Sequence, residues 1–317
     1  MNKCVITVPA SSANVGPGFD SVGIAVSKYL TLTVEEADHW EFEHHSVHLP
    51  PVSDPHEHLI YQSALKTAEA YHASLPACKV IVESDIPLAR GLGSSASAIV
   101  SGIELANQLC CLSLSEQEKL AIATEIEGHP DNVAAALLGG FVITSQLANG
   151  VLGGFVITSQ LANGEIEWFR KIDQQVEFVV SIPEFELKTD DARQVLPEQF
   201  TRNEAAAASS IANIVFVALL SGDYEQAGKL MEQDLFHEPY RAGLIPNYEK
   251  IRFEAKSTGA YGTVISGAGP TTISLVGKGN GEKVALHLKS KFPDYTVDCL
   301  KMTAVGVQVH PVLSSTT

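Results

Sequence analysis

Basic side chains are scarce in this 317-residue chain: 21 Lys and Arg stand against 37 Asp and Glu, a formal net charge of -16. A nucleic acid or an anionic membrane is therefore a poor main partner, and neither is expected. Long apolar runs are also missing. "NIVFVALL" stops at Ser221-Gly222 and the Ala-rich stretch after Asn132 stops at Gly139-Gly140, so no segment is expected to cross a bilayer. The opening "MNKCVITVPA" lacks the apolar centre of a signal peptide and reads as a strand. Cysteines are few and odd in number (Cys4, Cys78, Cys110, Cys111, Cys299) and form no CxxC pair, which reads as reduced thiols in a cytoplasmic protein. Neither common phosphate loop occurs in "PLARGLGSSASA" (Pro87–Ala98). Gly93 is followed by Ser94 and Ser95 where a P-loop needs Lys, and Ala96 stands where the dinucleotide pattern needs its third Gly.

What is present is a soluble-type balance of 45% hydrophobic and 18% charged residues, enough for one large or two moderate domains. "KCVITVPA", "GIAVSKYLTLTVEEA" and "CKVIVESDIP" read as strands, and "HEHLIYQSALKTAEAYHA" as a helix. Ala96, Ile99, Val100, Ile103, Ala106 and Cys110 recur at helical steps, so the glycine-rich loop lies between a strand and a helix N-terminus. "LSLSEQEKLAIATEIEG" is a helix opened by a Ser115–Glu118 capping box. Downstream, "VEFVVSIPEFEL" is a strand, and "TRNEAAAASSIANIVFVALLSG" and "DYEQAGKLMEQDL" are helices. "GTVISGAGPTTISLVGKG" is two strands around a Gly-Pro turn, "GEKVALHLKSKFP" a helix and "YTVDCLKM" the last strand. Strands and helices mixed without βα alternation point to two α+β domains meeting near residue 170.

The glycine loop has a physical reading of its own. N–H groups at a helix start lack internal partners and carry the positive end of the dipole, which suits an anion. Gly91 and Gly93 allow close backbone approach, and Ser94 and Ser95 add hydroxyls, either able to ligate a magnesium ion. A Gly/Ser-rich cap that binds nothing is the plain alternative.

"LLGGFVITSQLANG" (Leu137–Gly150) is followed at once by "VLGGFVITSQLANG" (Val151–Gly164), identical but for the first residue. Two units do not make a solenoid, so a recent or engineered duplication is the reading. Each copy reads as a strand ending in an Asn-Gly hairpin signal, with "EIEWFRKI" as the partner strand. One strand position serves two copies. The first copy is expected in the sheet, because its link to the preceding helix has no slack, and deleting Val151–Gly164 is expected to raise stability. The His-rich "HHSVHLPPVSDPHEH" (His44, His45, His48, His56, His58) matches no zinc spacing and is expected to be a solvated loop.

Two further stretches, "PASSANVGPGFDSVG" (Pro9–Gly23) and "SGAGPT" (Ser266–Thr271), stand with "PLARGLGSSASA" in the order of the three signature motifs of the GHMP kinases. By that resemblance, which spans essentially the whole chain, the sequence is identified as a member of the superfamily. "EGHPDN" (Glu127–Asn132), "LKTDDARQVLP" (Leu187–Pro197) and "HEPYRAGLIP" (His237–Pro246) resemble its homoserine kinase branch. The resemblance implies a two-domain α+β GHMP kinase fold. A ribosomal protein S5 domain 2-like N-terminal domain would span residues 1–170, and a ferredoxin-like C-terminal domain residues 171–317. It implies ATP-dependent phosphorylation of L-homoserine in threonine biosynthesis by a cytoplasmic homodimer.

Residue by residue, the resemblance puts Pro87, Leu88, Ala89, Arg90, Gly91, Leu92, Gly93, Ser94, Ser95, Ala96 and Ser97 at ATP, and Ser95 and Glu127 at Mg2+. It assigns Arg193 and Arg241 to the substrate carboxylate, a role suited to guanidinium forks. Thr189 adds a hydroxyl one turn before Arg193. Asp20, with Asn14 nearby, is matched to the ammonium, and His129 to a further substrate contact. Asp131 and Asn132 orient the substrate, with Asp131 a candidate base. Ala135 departs from the family, whose members often carry Pro there. Two alternatives stay open: a GHMP kinase for another small alcohol such as mevalonate, and a catalytically impaired ligand-binding member disturbed by the duplication. Mevalonate has no ammonium, so Asp20 favours an amino-acid substrate.

Overall fold

The computed structural model describes residues 3–143, 145–147, 150–152 and 175–311. Two strands dominate the first half: β1 (Cys4–Asn14) and the 19-residue β2 (Gly18–Glu36), antiparallel along nearly their whole length. β3 (Glu41–His44) and helix α1 (Leu59–Ala70) follow, then β4 (Cys78–Ser84), helix α2 (Ser94–Leu109), helix α3 (Glu116–Glu127) and helix α4 (Asp131–Leu138). The chain continues through β5 (Phe141–Ile143), β6 (Ser145–Leu147) and β7 (Gly150–Leu152). β1 and β2 alternate or run apolar, and their Ile6, Val8, Ile24 and Leu32 form the floor on which α2 and α4 pack. Gly23 matters here: a Cβ on it would lie 2.2 Å from the Asp131 carbonyl oxygen, so glycine is what lets the start of α4 rest on β2.

The second half holds β8 (Val176–Pro183), α5 (Thr189–Gln194), α6 (Arg202–Ser221), α7 (Tyr224–Met231), α8 (Glu238–Arg241), α9 (Tyr248–Thr258), β9 (Ala260–Ile265), β10 (Thr272–Gly277), α10 (Gly281–Lys291), β11 (Tyr295–Lys301) and β12 (Gln308–Pro311). Its sheet has the order β11-β8-β10-β9, all antiparallel, with α9 and α10 packed against it. That order is the ferredoxin-like arrangement.

The first sheet has the order β12-β1-β2-β4-β3, with β5 also on β2. β12 is thus a correction on two counts. "YTVDCLKM" is not the last strand, and the chain returns at residues 308–311 to pair with β1 of the first sheet. A boundary at residue 170 leaves this strand on the far side of its own sheet. Helix α9 also escaped the sequence reading, because only Tyr248, Ile251 and Ala255 of its eleven residues are buried.

Phe141–Ile143 of the first repeat copy pairs antiparallel with Val22–Ile24, and the β6–β7 hairpin spans the junction between copies. Residues 153–164 of the second copy and the expected partner strand "EIEWFRKI" lie outside the described residues. The expectation about membranes needs correcting too. α6 has 20 residues and holds an 18-residue stretch, little of it buried, that is long and apolar enough by length and composition to cross a bilayer. The same is true of many helices in soluble proteins. Here α6 packs along α7 and is closed by a Thr201–Glu204 capping box and Gly222.

Candidate active site

The three glycine-rich stretches converge on one cavity of about 650 Å³. The loop before α2 supplies one wall. Gly93, at φ 69°, caps that helix in the left-handed conformation without a side-chain hydrogen bond, so the first-turn N–H groups have no side-chain cap. A Cβ on Gly93 would stand 2.1 Å from Ser11 Oγ, and one on Gly91 2.3 Å from the Ser266 carbonyl oxygen. The three motifs are therefore packed backbone to backbone. Ser11 N donates to Leu92 O (3.1 Å), Gly267 N to Ala13 O (3.1 Å) and Ser266 Oγ to Ser12 Oγ (2.8 Å).

Within the loop the residues divide. Leu88, Ala89, Arg90, Gly91, Gly93, Ser94 and Ser95 line the cavity, whereas Pro87, Leu92, Ala96 and Ser97 do not. Leu92, Ala96 and Ser97 are fully buried in the protein, and Ser97 Oγ ties the helix start to Pro9 O at 2.9 Å. These members of the expected nucleotide set act on the loop's shape through packing. The Arg90 guanidinium is also committed elsewhere. It donates to Leu88 O, Pro183 O and Glu184 O and pairs with Glu186, clamping the loop to the end of β8.

Ser95 Oγ donates to Glu127 Oε2 at 2.8 Å across the cavity mouth. Burial pushes the Glu127 carboxyl above its usual range, against the opposing Ser95 hydrogen bond. Two hard oxygen donors this close, next to an uncapped helix start, fit a magnesium ion that also holds phosphate oxygens. Across from them, His129 Nδ1 and Asp131 Oδ1 lie 2.7 Å apart, and the Asn132 N–H donates to the same oxygen. Asn132 Oδ1 accepts from Ser11 Oγ (2.9 Å).

The cavity lining also carries charge of both signs. Arg193 grips Asp20 with both terminal nitrogens, at 2.7 and 3.1 Å. Each was expected to hold a different group of the substrate; here they hold one another. Asn14 braces this pair: its Nδ2 donates to Gly267 O (2.8 Å) and its Oδ1 accepts from Asp20 N (3.0 Å). Thr189, the first residue of α5, lines the cavity one turn before Arg193.

Arg241 is only 2% exposed, and burial, with Arg193 close by, pulls its pKa down to about 10. Its Nε donates to Ala192 O (3.0 Å) and its Nη1 to Gly267 O (3.2 Å) and to His237 Nδ1 (3.3 Å). That leaves Nη2 as the part of the guanidinium with no bond recorded among the described residues.

The His-rich tract needs correction. His44 and His58 line the cavity, and their Nε2 atoms lie 3.0 Å apart. The proton positions follow from the partners. Pro50 O can only accept from His44 Nδ1 (2.6 Å), and the Ile60 N–H can only donate to His58 Nδ1 (3.2 Å). His58 therefore donates through Nε2 to His44, both rings neutral. The His58 ring stacks on Phe42 (4.2 Å between centroids), and burial pushes its pKa down to about 4. Periodicity could not find this pair, which closes a loop from β3 to α1. His45, His48 and His56 are exposed as expected, and no group of three or more metal-ligating side chains occurs among the described residues.

Comparison with known proteins follows the same outline. The sequence matches the family models for the GHMP kinases N terminal domain over residues 58–140 and the GHMP kinases C terminal domain over residues 215–294. A homoserine kinase of Oceanobacillus iheyensis is 48% identical over 307 residues, 96% of this chain and 98% of that one. One of Halalkalibacterium halodurans is 45% identical over 311 residues, 98% and 96% of the two chains. The crystal structure of homoserine kinase from Cytophaga hutchinsonii superimposes with a TM-score of 0.80 at 26% identity, covering 98% of each chain.

Proposed function

The chain belongs to the homoserine kinase branch of the GHMP kinases, and on that premise we propose that it moves the γ-phosphoryl group of ATP to the side-chain hydroxyl of L-homoserine, yielding O-phospho-L-homoserine and ADP. The observation that carries the reading is one cavity lined by two unlike sets of groups. The uncapped start of α2 with Ser95 and Glu127 forms one set, and Asp20, Arg193 and Arg241 form the other.

ATP suits the first set. Its phosphates would meet the first-turn N–H groups of α2 and the hydroxyls of Ser94 and Ser95. The apolar stretch formed by Leu49, Val52, Ile60 and Val82 is suited to a purine. Ser95 and Glu127 would hold Mg2+, which neutralises phosphate charge when bound. Homoserine suits the second set, with its ammonium at Asp20 and its carboxylate at Arg193 and Arg241. Thr189 and His129 border the same space. To enter, it must part Asp20 from Arg193. A zwitterion leaves neither charge alone, whereas mevalonate, with a carboxylate only, would leave Asp20 unpaired.

The chemical step needs little from a base. The bond from the substrate oxygen to phosphorus forms as the bond to the departing ADP oxygen breaks, and the hydroxyl proton leaves. Asp131 Oδ1 is already committed to His129 and to the Asn132 N–H, which favours an orienting role for Asp131 and Asn132. Positioning and charge neutralisation then supply most of the rate. The chain would work in the cytoplasm as a homodimer, which sedimentation at micromolar concentration tests. The activity is tested by ADP release with L-homoserine, L-threonine, L-serine and mevalonate in parallel. Homoserine should be the preferred acceptor; preference for mevalonate, or no turnover of any, would overturn the reading.

A further inference from the structure

Phe19 does not line the cavity, yet Arg193 and Arg241, which do, and the buried His237 gather around its ring. The Arg241 Cζ lies 5.3 Å from the ring centroid and the Arg193 Cζ 5.7 Å. The His237 ring stacks on it at 5.5 Å and 25°. His237 is fully buried and has both nitrogens in use: Nε2 donates to Gly16 O (3.0 Å) and Nδ1 faces Arg241 Nη1. The stack therefore runs from the turn between β1 and β2, through Phe19 and His237, to the buried Arg241.

Two guanidinium groups this close repel each other. The repulsion from Arg193 is one of the causes that pull the Arg241 pKa down. Asp20 offsets it for Arg193, which it grips directly; Arg241 has no carboxylate within ion-pair distance among the described residues. The Asp20, Asp234 and Asp131 carboxylates draw on Arg241 from farther off, and the π system of Phe19, with which both cations are in contact, adds attraction at short range. A ring held by a stacked neutral imidazole also fixes where the two forks stand.

We propose that Phe19 is a positioning residue for substrate selection: its ring is a common platform that keeps the Arg193 and Arg241 guanidiniums side by side as one carboxylate-binding unit. The inference rests on the homoserine reading and deepens it, since carboxylate recognition then depends on an aromatic side chain that the carboxylate never touches. Leucine at this position fills similar space without a π face. Tyrosine keeps the face.

The test compares wild-type enzyme with Phe19→Leu and Phe19→Tyr, measuring kcat and KM for L-homoserine and KM for ATP. It adds the inhibition constant of 3-amino-1-propanol, which is homoserine without its carboxylate. Phe19→Leu should raise the homoserine KM roughly tenfold, from the loss of two cation–π contacts. Its kcat, ATP KM and 3-amino-1-propanol inhibition constant should stay near wild type, and Phe19→Tyr should restore the homoserine KM. Equal losses in the Leu and Tyr variants would overturn the inference. So would a fall in kcat and ATP affinity alongside homoserine, or an equal loss of 3-amino-1-propanol binding. A wild-type enzyme that ignores L-homoserine overturns the functional reading and this inference with it. An active wild type beside an unimpaired Phe19→Leu overturns the inference alone.

Discussion

Replacing Arg241 by Lys should damage substrate binding and folding together, because in the proposed function the same guanidinium serves both. Three of its hydrogen bonds are structural, to Ala192 O, Gly267 O and His237 Nδ1. They join α5, the turn after β9 and α8. An ammonium at the end of a shorter fork can keep about one of them. Hydrogen bonds from a charged donor contribute ~1.5–3 kcal/mol each, so after partial repair the loss is about 3 kcal/mol. For a chain of this size that lowers Tm by roughly 5 °C. The binding part is separate. Losing Nη2, the nitrogen left for the substrate in the proposed function, removes one charged contact to the carboxylate, raising the homoserine KM by roughly 10- to 100-fold. The new Lys would also be buried beside Arg193, and both desolvation and that cation push its pKa down, weakening its charge near neutral pH. ADP-release kinetics give the two KM values and circular dichroism the melt. ATP KM should hold, since the nucleotide loop lies on other elements. An unchanged homoserine KM would remove Arg241 from the carboxylate site, and an unchanged Tm would show that its three internal bonds carry no net stability.

Ser95→Ala and Glu127→Gln should each weaken use of magnesium–ATP while leaving homoserine binding intact; calorimetric titration with a nonhydrolysable nucleotide that finds unchanged affinity at fixed Mg2+ would count against both. Gly93→Ala forces a Cβ to 2.1 Å from Ser11 Oγ at φ 69°, so nucleotide affinity and stability should both fall, and a variant that binds nucleotide normally refutes the packed-motif account. His58 contributes a pH limb. Its folded pKa of about 4 lies below the ordinary 6.5, so the unfolded chain takes the proton first and stability should decline as pH falls from about 6.5 towards 4. His58→Gln should flatten that limb in melts across this range, and an identical pH profile in both proteins would reject the neutral His44–His58 relay.

Much of the architecture was legible because it is local. The alternation of β1 and β2, the helical steps from Ala96 to Cys110 and the Ser115–Glu118 capping box are short-range patterns, and each forms the element expected. The Gly-Pro turn between β9 and β10 was legible for the same reason. Where local signals are weak, the reading failed. β12 is a short, mostly exposed strand with no strong alternation, and its existence is decided by an open edge on β1 some 300 residues earlier.

The candidate residues that line the cavity could be named from their motifs, but their partners could not. Asp20 and Arg193 are 173 residues apart, and Asn14 and Gly267 are 253 apart. No spacing rule connects such pairs; only the closure of two sheets around one cavity does. The sequence by itself determined the chemistry on hand: hydroxyls and glycines at a helix start, a carboxylate beside them, and charges of both signs. Tertiary structure decided how those groups are spent. It turned Leu92 and Ala96 inward, committed Arg90 and most of Arg241 to backbone carbonyls, and drew His44 and His58 out of a solvated tract into a neutral pair. The physical reason is that a buried donor or cation must find a partner, and which partner is nearest is a property of the packed chain.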